Sequence, residues 1–277
     1  MKIWHISDTH GYHKKLNPPK VDIVIHSGDF TNHKELHLNE PETNDFLDWY
    51  SKLDIEHKIL VAGNHDTTAF NNKTAFKERC KKLGITYLED DFIYIDNTLI
   101  YGSPWSPLYG DWSFMKQPHQ LKRYWDNIPL NIGILVTHCP PHGILDVIPS
   151  VNGNKSVGCK HLKEELDKRV IPKLHLFGHI HNQGDVVNFG TVVRDNSENF
   201  CNIIHNRLVN DCGEDNLFKN NNPDILEYKE EIQKMFNGLY DLAMSNSPTT
   251  TFSNGSVVTD FMFGKEGFIN QGNIFEI

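Results

Sequence analysis

Five short polar runs in one recurring setting constrain this chain most: Asp8-Thr9-His10, Gly28-Asp29, Gly63-Asn64-His65-Asp66, Thr137-His138 and Gly178-His179-Ile180-His181. Each follows an apolar stretch that reads as a β-strand. A fold that uses them together must bring the ends of five strands to one place. Asp8, His10, Asp29, Asn64, His138, His179 and His181 offer seven oxygen and nitrogen donors, and His65 is left over. Carboxylate, amide and imidazole in one set suit hard or borderline divalent cations. Two such ions a few ångströms apart form a clamp for displacement at phosphorus.

Taken singly, each run has an ordinary reading. Asp-x-His arises by chance in many chains, and Gly-Asp after a strand is usually a turn. Gly-Asn-His-Asp can be a turn closed by an Asx cap, and Gly-His-x-His can be one arm of a mononuclear zinc site. Five independent turns, each at a strand end, account poorly for the whole series. A closed structural zinc site is disfavoured, because no cysteine stands at ligand spacing. Period-two geometry aims Asp8 and His10 the same way. Asp29 has two carboxylate oxygens and can bridge two ions, which no imidazole can do. Asn64 adds a neutral amide oxygen. Glycines 28, 63 and 178 let the backbone turn close to the ions.

Around the runs, residues 3–6, 21–26, 57–62, 85–88, 92–95, 98–101, 131–136 and 173–177 read as strands. Residues 44–53 predict a helix with Thr43 as N-cap, 74–83 a basic helix stopped by Gly84, and 159–170 a third helix. Residues 185–193 predict a hairpin around Phe189-Gly190. Helices and strands alternate early and strands cluster late, which favours a layered α/β sandwich over a doubly wound sheet. Residues 104–130, with four prolines and three tryptophans, read as an irregular loop or lid over the site.

The organisation expected is a catalytic domain over 1–210 and an acidic extension over 211–277. All 16 histidines lie in the first part, whereas the second carries 11 acids against 4 lysines. Asn220-Asn221-Asn222-Pro223 reads as a linker, 224–244 as a helix and the rest as a tail that docks on its own core or makes a homo-oligomer. A net charge of −9 does not suggest a non-specific nucleic-acid binder. No run of about 18 apolar residues suggests a membrane span. The first strand leaves no room for a secretory leader, and five cysteines without paired spacing fit a reducing compartment. The expectation is a cytoplasmic protein.

The runs DTH, GDF, GNHD, THCPP and GHIH resemble those of the calcineurin-like metallophosphoesterase superfamily. The segments HISDTHGYH, HSGDFT, VAGNHD, YGSPWSP, LVTHCPPHGILD, GCKHL and PKLHLFGHIHNQG resemble the small metallophosphodiesterases of animal brain and related microbial proteins. The likeness covers about residues 1–205, and Cys139 stands where usual members have glycine. It implies an α/β sandwich of two mixed β-sheets flanked by helices, with a C-terminal appendage. It implies one ion on Asp8, His10, Asp29 and His181 and a second on Asp29, Asn64, His138 and His179. Manganese is the leading metal in vitro, with iron, zinc or nickel as others. His65 would face the leaving group, and Asp66 would orient it or merely cap a turn. The reaction implied is attack by a metal-bridging hydroxide on a small phosphodiester or nucleotide, cyclic nucleotides leading. A nuclease, a phosphomonoesterase and a non-catalytic metal scaffold are the alternatives. After Gly28-Asp29 comes Phe30-Thr31-Asn32, unlike the Gly-Asp-x-Val-Asp-Arg-Gly run of protein Ser/Thr phosphatases.

Residues of lesser weight are His5, His26 and His175, inside apolar strands and expected in the core or behind the ligands. His13 and His142 are candidates for substrate contact. Trp105 either stacks on a base or packs. Phenylalanines 252, 261, 263 and 268 are expected as docking contacts.

Overall fold

Runs of β-branched and aromatic residues form the strands, and amphipathic stretches between them form the helices. The computed structural model describes residues 1–183, 185–196, 248–258 and 270–277. In chain order the elements are β1 (Lys2–Ile6), β2 (Ile23–His26), α1 (Leu36–Ser51), β3 (His57–Leu60), α2 (Thr67–Asn71), α3 (Lys73–Lys82), β4 (Thr86–Tyr87), β5 (Asp91–Ile95) and β6 (Thr98–Ser103). Then come β7 (Ser106–Pro107), β8 (Met115–Lys116), α4 (Pro118–Trp125), β9 (Ile134–Thr137), β10 (Val147–Ile148), β11 (Lys155–Ser156), α5 (Lys160–Lys168) and β12 (Leu174–Phe177). Last are β13 (Gly190–Asp195), β14 (Thr249–Asn254) and β15 (Asn273–Glu276).

Two large sheets result. One runs β15-β1-β2-β3-β4 and the other β13-β14-β12-β9-β6-β5, each parallel at its centre and antiparallel at an edge. Period-two alternation sorts their side chains. Ile3, Ile23, Ile25, Ile59 and Val61 of the first sheet meet Ile100, Ile134, Val136, Leu174 and Leu176 of the second in one aliphatic layer. The alternate residues Trp4, Val24 and Leu60, and Leu135 and Phe177, belong to a second cluster with Phe46 and Tyr50 of α1, Trp125 of α4 and Leu162 of α5. The molecule is therefore an α/β sandwich of two mixed sheets flanked by helices. Consecutive parallel strands put their C-terminal ends on one edge, so the five polar runs converge there.

Three local expectations change. The first helix begins at Leu36, not Asn44, and Pro41 lies within it. Thr43, expected as its cap, is buried inside the helix. The early turns hold because Leu38 and Asn39 donate to the Glu35 carbonyl and Asn39 is tied to neighbouring loops. Second, β13 does not pair within a local hairpin. Its partner is β14, and before it Gln183 and Val186 form an isolated bridge.

Third, described residues beyond 210 are structural strands. β14 lies between β12 and β13, and β15 edges β1. Thr250 and Phe252 of β14 are fully buried, so Phe252 docks on the chain's own core. The boundary expected at 210 does not separate the sheets. The expected helix 224–244, phenylalanines 261, 263 and 268, and cysteines 201 and 212 lie outside the described residues. Cys80, Cys139 and Cys159 are buried and free. Among the described residues no helix is long and apolar enough to cross a membrane.

Candidate metal centre

The loop after β1 lies along the loop after β2. Asp8 N–H donates to the Gly28 carbonyl (2.8 Å), His10 N–H to Asp29 (3.1 Å) and Gly11 N–H to Phe30 (3.2 Å). This register puts Asp8, His10 and Asp29 at φ of 50°, 40° and 57°, and His179 joins them at 69°. An L-residue in that left-handed region costs roughly 1–2 kcal/mol, so four polar side chains are held there against local preference. Gly63 and Gly178 permit the closest approaches. A Cβ on Gly63 would collide with Asp29, and one on Gly178 with the Asp8 carboxylate and the Ser7 hydroxyl.

The side chains gather in three overlapping groups whose ligand atoms lie within 4.8 Å of one another: Asp8, His10 and His181; His10, Asp29 and His65; Asp29, His138 and His179. Asp29 belongs to both the second and the third group, so its two oxygens can serve adjacent ions. His181 Nε2 is 3.0 Å from Asp8 Oδ1, and His138 Nε2 is 3.2 Å from Asp29 Oδ2. Asn64 Oδ1 lies 3.0 Å from the same His138 nitrogen. All seven expected donors and His65 are thus brought together.

The ring orientations are set from behind. His138 Nδ1 meets the Ser27 carbonyl (2.9 Å), His10 Nδ1 the Thr31 carbonyl (2.8 Å) and His65 Nδ1 the Asn32 carbonyl (2.8 Å). A carbonyl can only accept, so each Nδ1 carries a proton and each ring turns its Nε2 towards the cluster. Burial holds His10 down at about 4 against the pull of Asp29, and His179 at about 3. Burial also opposes charge on His138, but Asp29 outweighs it and lifts the ring to about 9. Although burial opposes it, Asp29 stays well below the usual carboxylate range, because His138, His65 and His10 face it. Asp8 is lowered too, chiefly by His181 against burial. Two ionised carboxylates, with neutral His10 and His179 beside them and the His138 proton held by Asp29 where a cation would replace it, form a donor set that fits divalent cations.

Of the two readings of Asp66, the structure carries the turn and not the hold on His65. Its oxygens accept from the backbone N–H of Asp29 (2.9 Å), Gly63 (2.7 Å) and Thr31 (3.1 Å), not from His65. It fixes the turns that carry Asp29 and Asn64, and the Asn32 carbonyl orients His65. Burial, then the charge of Asp29, pushes its carboxyl up to about 8. Asn39, inside α1, donates to the carbonyls of His33 (2.6 Å) and His65 (2.8 Å) and accepts from Thr68 N–H (2.8 Å). A polar residue amid the buried face of a helix was the only signal for it.

His5, His26 and His175 are fully buried. They contact the hydroxyls of Ser27 (3.0 Å), Thr9 (3.0 Å) and Thr137 (2.8 Å), each beside a ligand run. His13 packs on α1 between Phe46 and Trp49 and faces Asp45 (3.3 Å). His142 is partly exposed, 3.7 Å from Asp146. Trp105 packs: its Nε1 donates to Asp90 (2.8 Å) and its ring lies against Tyr124. The aromatic residue that reaches the centre is Trp112, stacked on His65 at 4.1 Å. The segment just after β14 also reaches it, through Ser256 Oγ, which donates to Asp8 Oδ2 (3.0 Å).

Residues 1–183 match the family described as calcineurin-like phosphoesterase. The chain belongs to that family. These are dinuclear metal-dependent phosphoester hydrolases. The human Metallophosphoesterase domain-containing protein 1 is 36% identical over 208 residues, 67% of this chain and 62% of the relative. Its mouse counterpart gives the same figures. A UPF0046 protein of Caenorhabditis elegans is 32% identical over 202 residues, 69% of this chain and 67% of that protein. This calcineurin-like chain therefore spans 62% of the length of its two mammalian relatives.

Proposed function

We propose that this calcineurin-like phosphoesterase hydrolyses small phosphodiesters, with cyclic nucleotides the leading class and manganese the metal that activates it most readily in vitro. The supporting observation is the sharing of Asp29. One carboxylate stands in ligand groups from both sheets, while His65 shares a group with it and is held by a backbone carbonyl. Asp8, His10, Asp29 and His181 would hold one cation, and Asp29, Asn64, His138 and His179 the other. When bound, the pair supplies Lewis-acid charge to the phosphoryl oxygens and acidifies water.

The chain's own residues do the rest. The Ser27 and Thr31 carbonyls fix two ligand imidazoles in the Nδ1–H form, and Asp66 fixes the turns beneath Asp29 and Asn64. His65, anchored at Nδ1, presents Nε2 to the departing alcohol and can deliver a proton to its oxygen. The run after Asp29 lacks the arginine of the protein phosphatases, which agrees with a diester carrying less charge than a monoester. The buried free thiols agree with a cytoplasmic setting.

The test is a screen of the manganese-loaded full chain on bis(p-nitrophenyl) phosphate, 2′,3′- and 3′,5′-cyclic nucleotides, linear dinucleotides and monoesters. Turnover of cyclic diesters above monoesters is expected. A monoester preference, or no turnover with manganese, zinc, nickel or iron, overturns the reading.

A further inference from the structure

Trp112 lies in the loop between β7 and β8, and its indole stacks on the His65 imidazole with centroids 4.1 Å apart and planes inclined by 27°. The loop is pinned to the segment that bears His65. Ser113 N–H donates to the Asn64 carbonyl (3.1 Å), and Ser113 Oγ to Thr67 Oγ1 (3.2 Å). Phe114, next in sequence, is fully buried against Phe70 and Trp105. On the outer side Lys34 Nζ pairs with Asp111 (2.8 Å) and lies 5.9 Å from the Trp112 ring, tying the loop to the residues after Asn32. His65 is only partly buried, and such a side chain exchanges rotamers on the picosecond-to-nanosecond scale unless packing prevents it. The Asn32 carbonyl holds one ring atom but leaves rotation about that bond. A flat indole against the imidazole removes the remaining freedom.

We infer that Trp112 is a positioning residue for His65: the stack keeps Nε2 aimed at the departing oxygen, and its contribution grows as the leaving group becomes poorer. This rests on the phosphodiesterase reading for the task of His65, while the stack itself can be tested without turnover. In the full chain the Cε1–H resonance of His65, assigned by its loss in His65→Ala, should lie upfield from the ring current of the indole. Trp112→Ala should move it downfield, and Trp112→Phe should restore part of the shift. A resonance unmoved by Trp112→Ala overturns the stack, whatever the enzyme turns over.

Kinetics of the manganese-loaded enzyme test the role. Trp112→Ala should lower kcat about tenfold on a 2′,3′-cyclic nucleotide, part of what a general acid supplies, and less on bis(p-nitrophenyl) phosphate, whose leaving group needs no proton. KM should change little, Trp112→Phe should recover most of kcat, and Trp112→Ala should add nothing to His65→Ala. A raised KM with kcat preserved, or an undiminished effect in the His65→Ala background, would show instead that Trp112 packs on substrate. Absence of wild-type turnover would fail the diesterase reading while leaving the resonance result standing.

Discussion

The first sheet brings Asp8, His10, Asp29, Asn64 and His65 to the centre from loops within residues 1–66, whereas the second brings His138, His179 and His181 and is completed by residues 249–254. The first half is nearly sequential: β1, β2 and β3 are parallel neighbours in chain order. The second half is closed by β14, which pairs with β12 on one side and β13 on the other. Where the sheets meet, Ser7 N–H donates to Gly255 (2.9 Å) and Val257 N–H to Ser7 (2.9 Å), and Ser256 reaches Asp8. The comparison teaches that ligands can be clustered early in a chain while the frame that holds them depends on its far end.

The largest effect should come from removing that far end. A chain stopped after residue 210 loses β14 and β15, and with them the partner of β12 and the buried Thr250 and Phe252. We expect loss of cooperative thermal unfolding by circular dichroism. A truncated chain that melts like the full one would remove the asymmetry between the halves.

Next in size is Asp29→Ala, which takes away the carboxylate common to both sides. It should abolish metal at both positions, read by elemental analysis of the purified chain. Retention of two ions per chain would refute the shared role.

The smallest effect sharpens the comparison. Ser256→Ala should keep the fold but weaken metal binding by about 10–100-fold, the usual loss when a group behind a ligand is deleted. Titration of metal by calorimetry reads it, and unchanged affinity would reduce the segment after β14 to scaffolding.

The centre was legible because an apolar run ending in Asp, His or Gly is a local signal. All seven donors and His65 could be picked out before any pairing was known. The second sheet was not legible in this way. Thr-Thr-Thr-Phe-Ser-Asn at 249–254 reads as a polar tail, and only β12 and β13 make it a strand. Pro41 hid the first turns of α1, since the tertiary bonds of Asn39 that hold them have no periodic signature. For Asp66 the local turn is legible, through its bond to Gly63, but the bonds to Thr31 and Asp29, more than thirty residues away, are not. Of the tryptophans in the loop, Trp105 stood in the more recognisable motif, and the loop's fold placed Trp112 at the site instead.

The left-handed backbone at Asp8, His10, Asp29 and His179 sets the centre and the fold at odds. Glycine at any of these four positions would relieve strain that the present side chains maintain. Breeding this protein for heat tolerance alone, with no demand on activity, would therefore favour the loss of these four side chains.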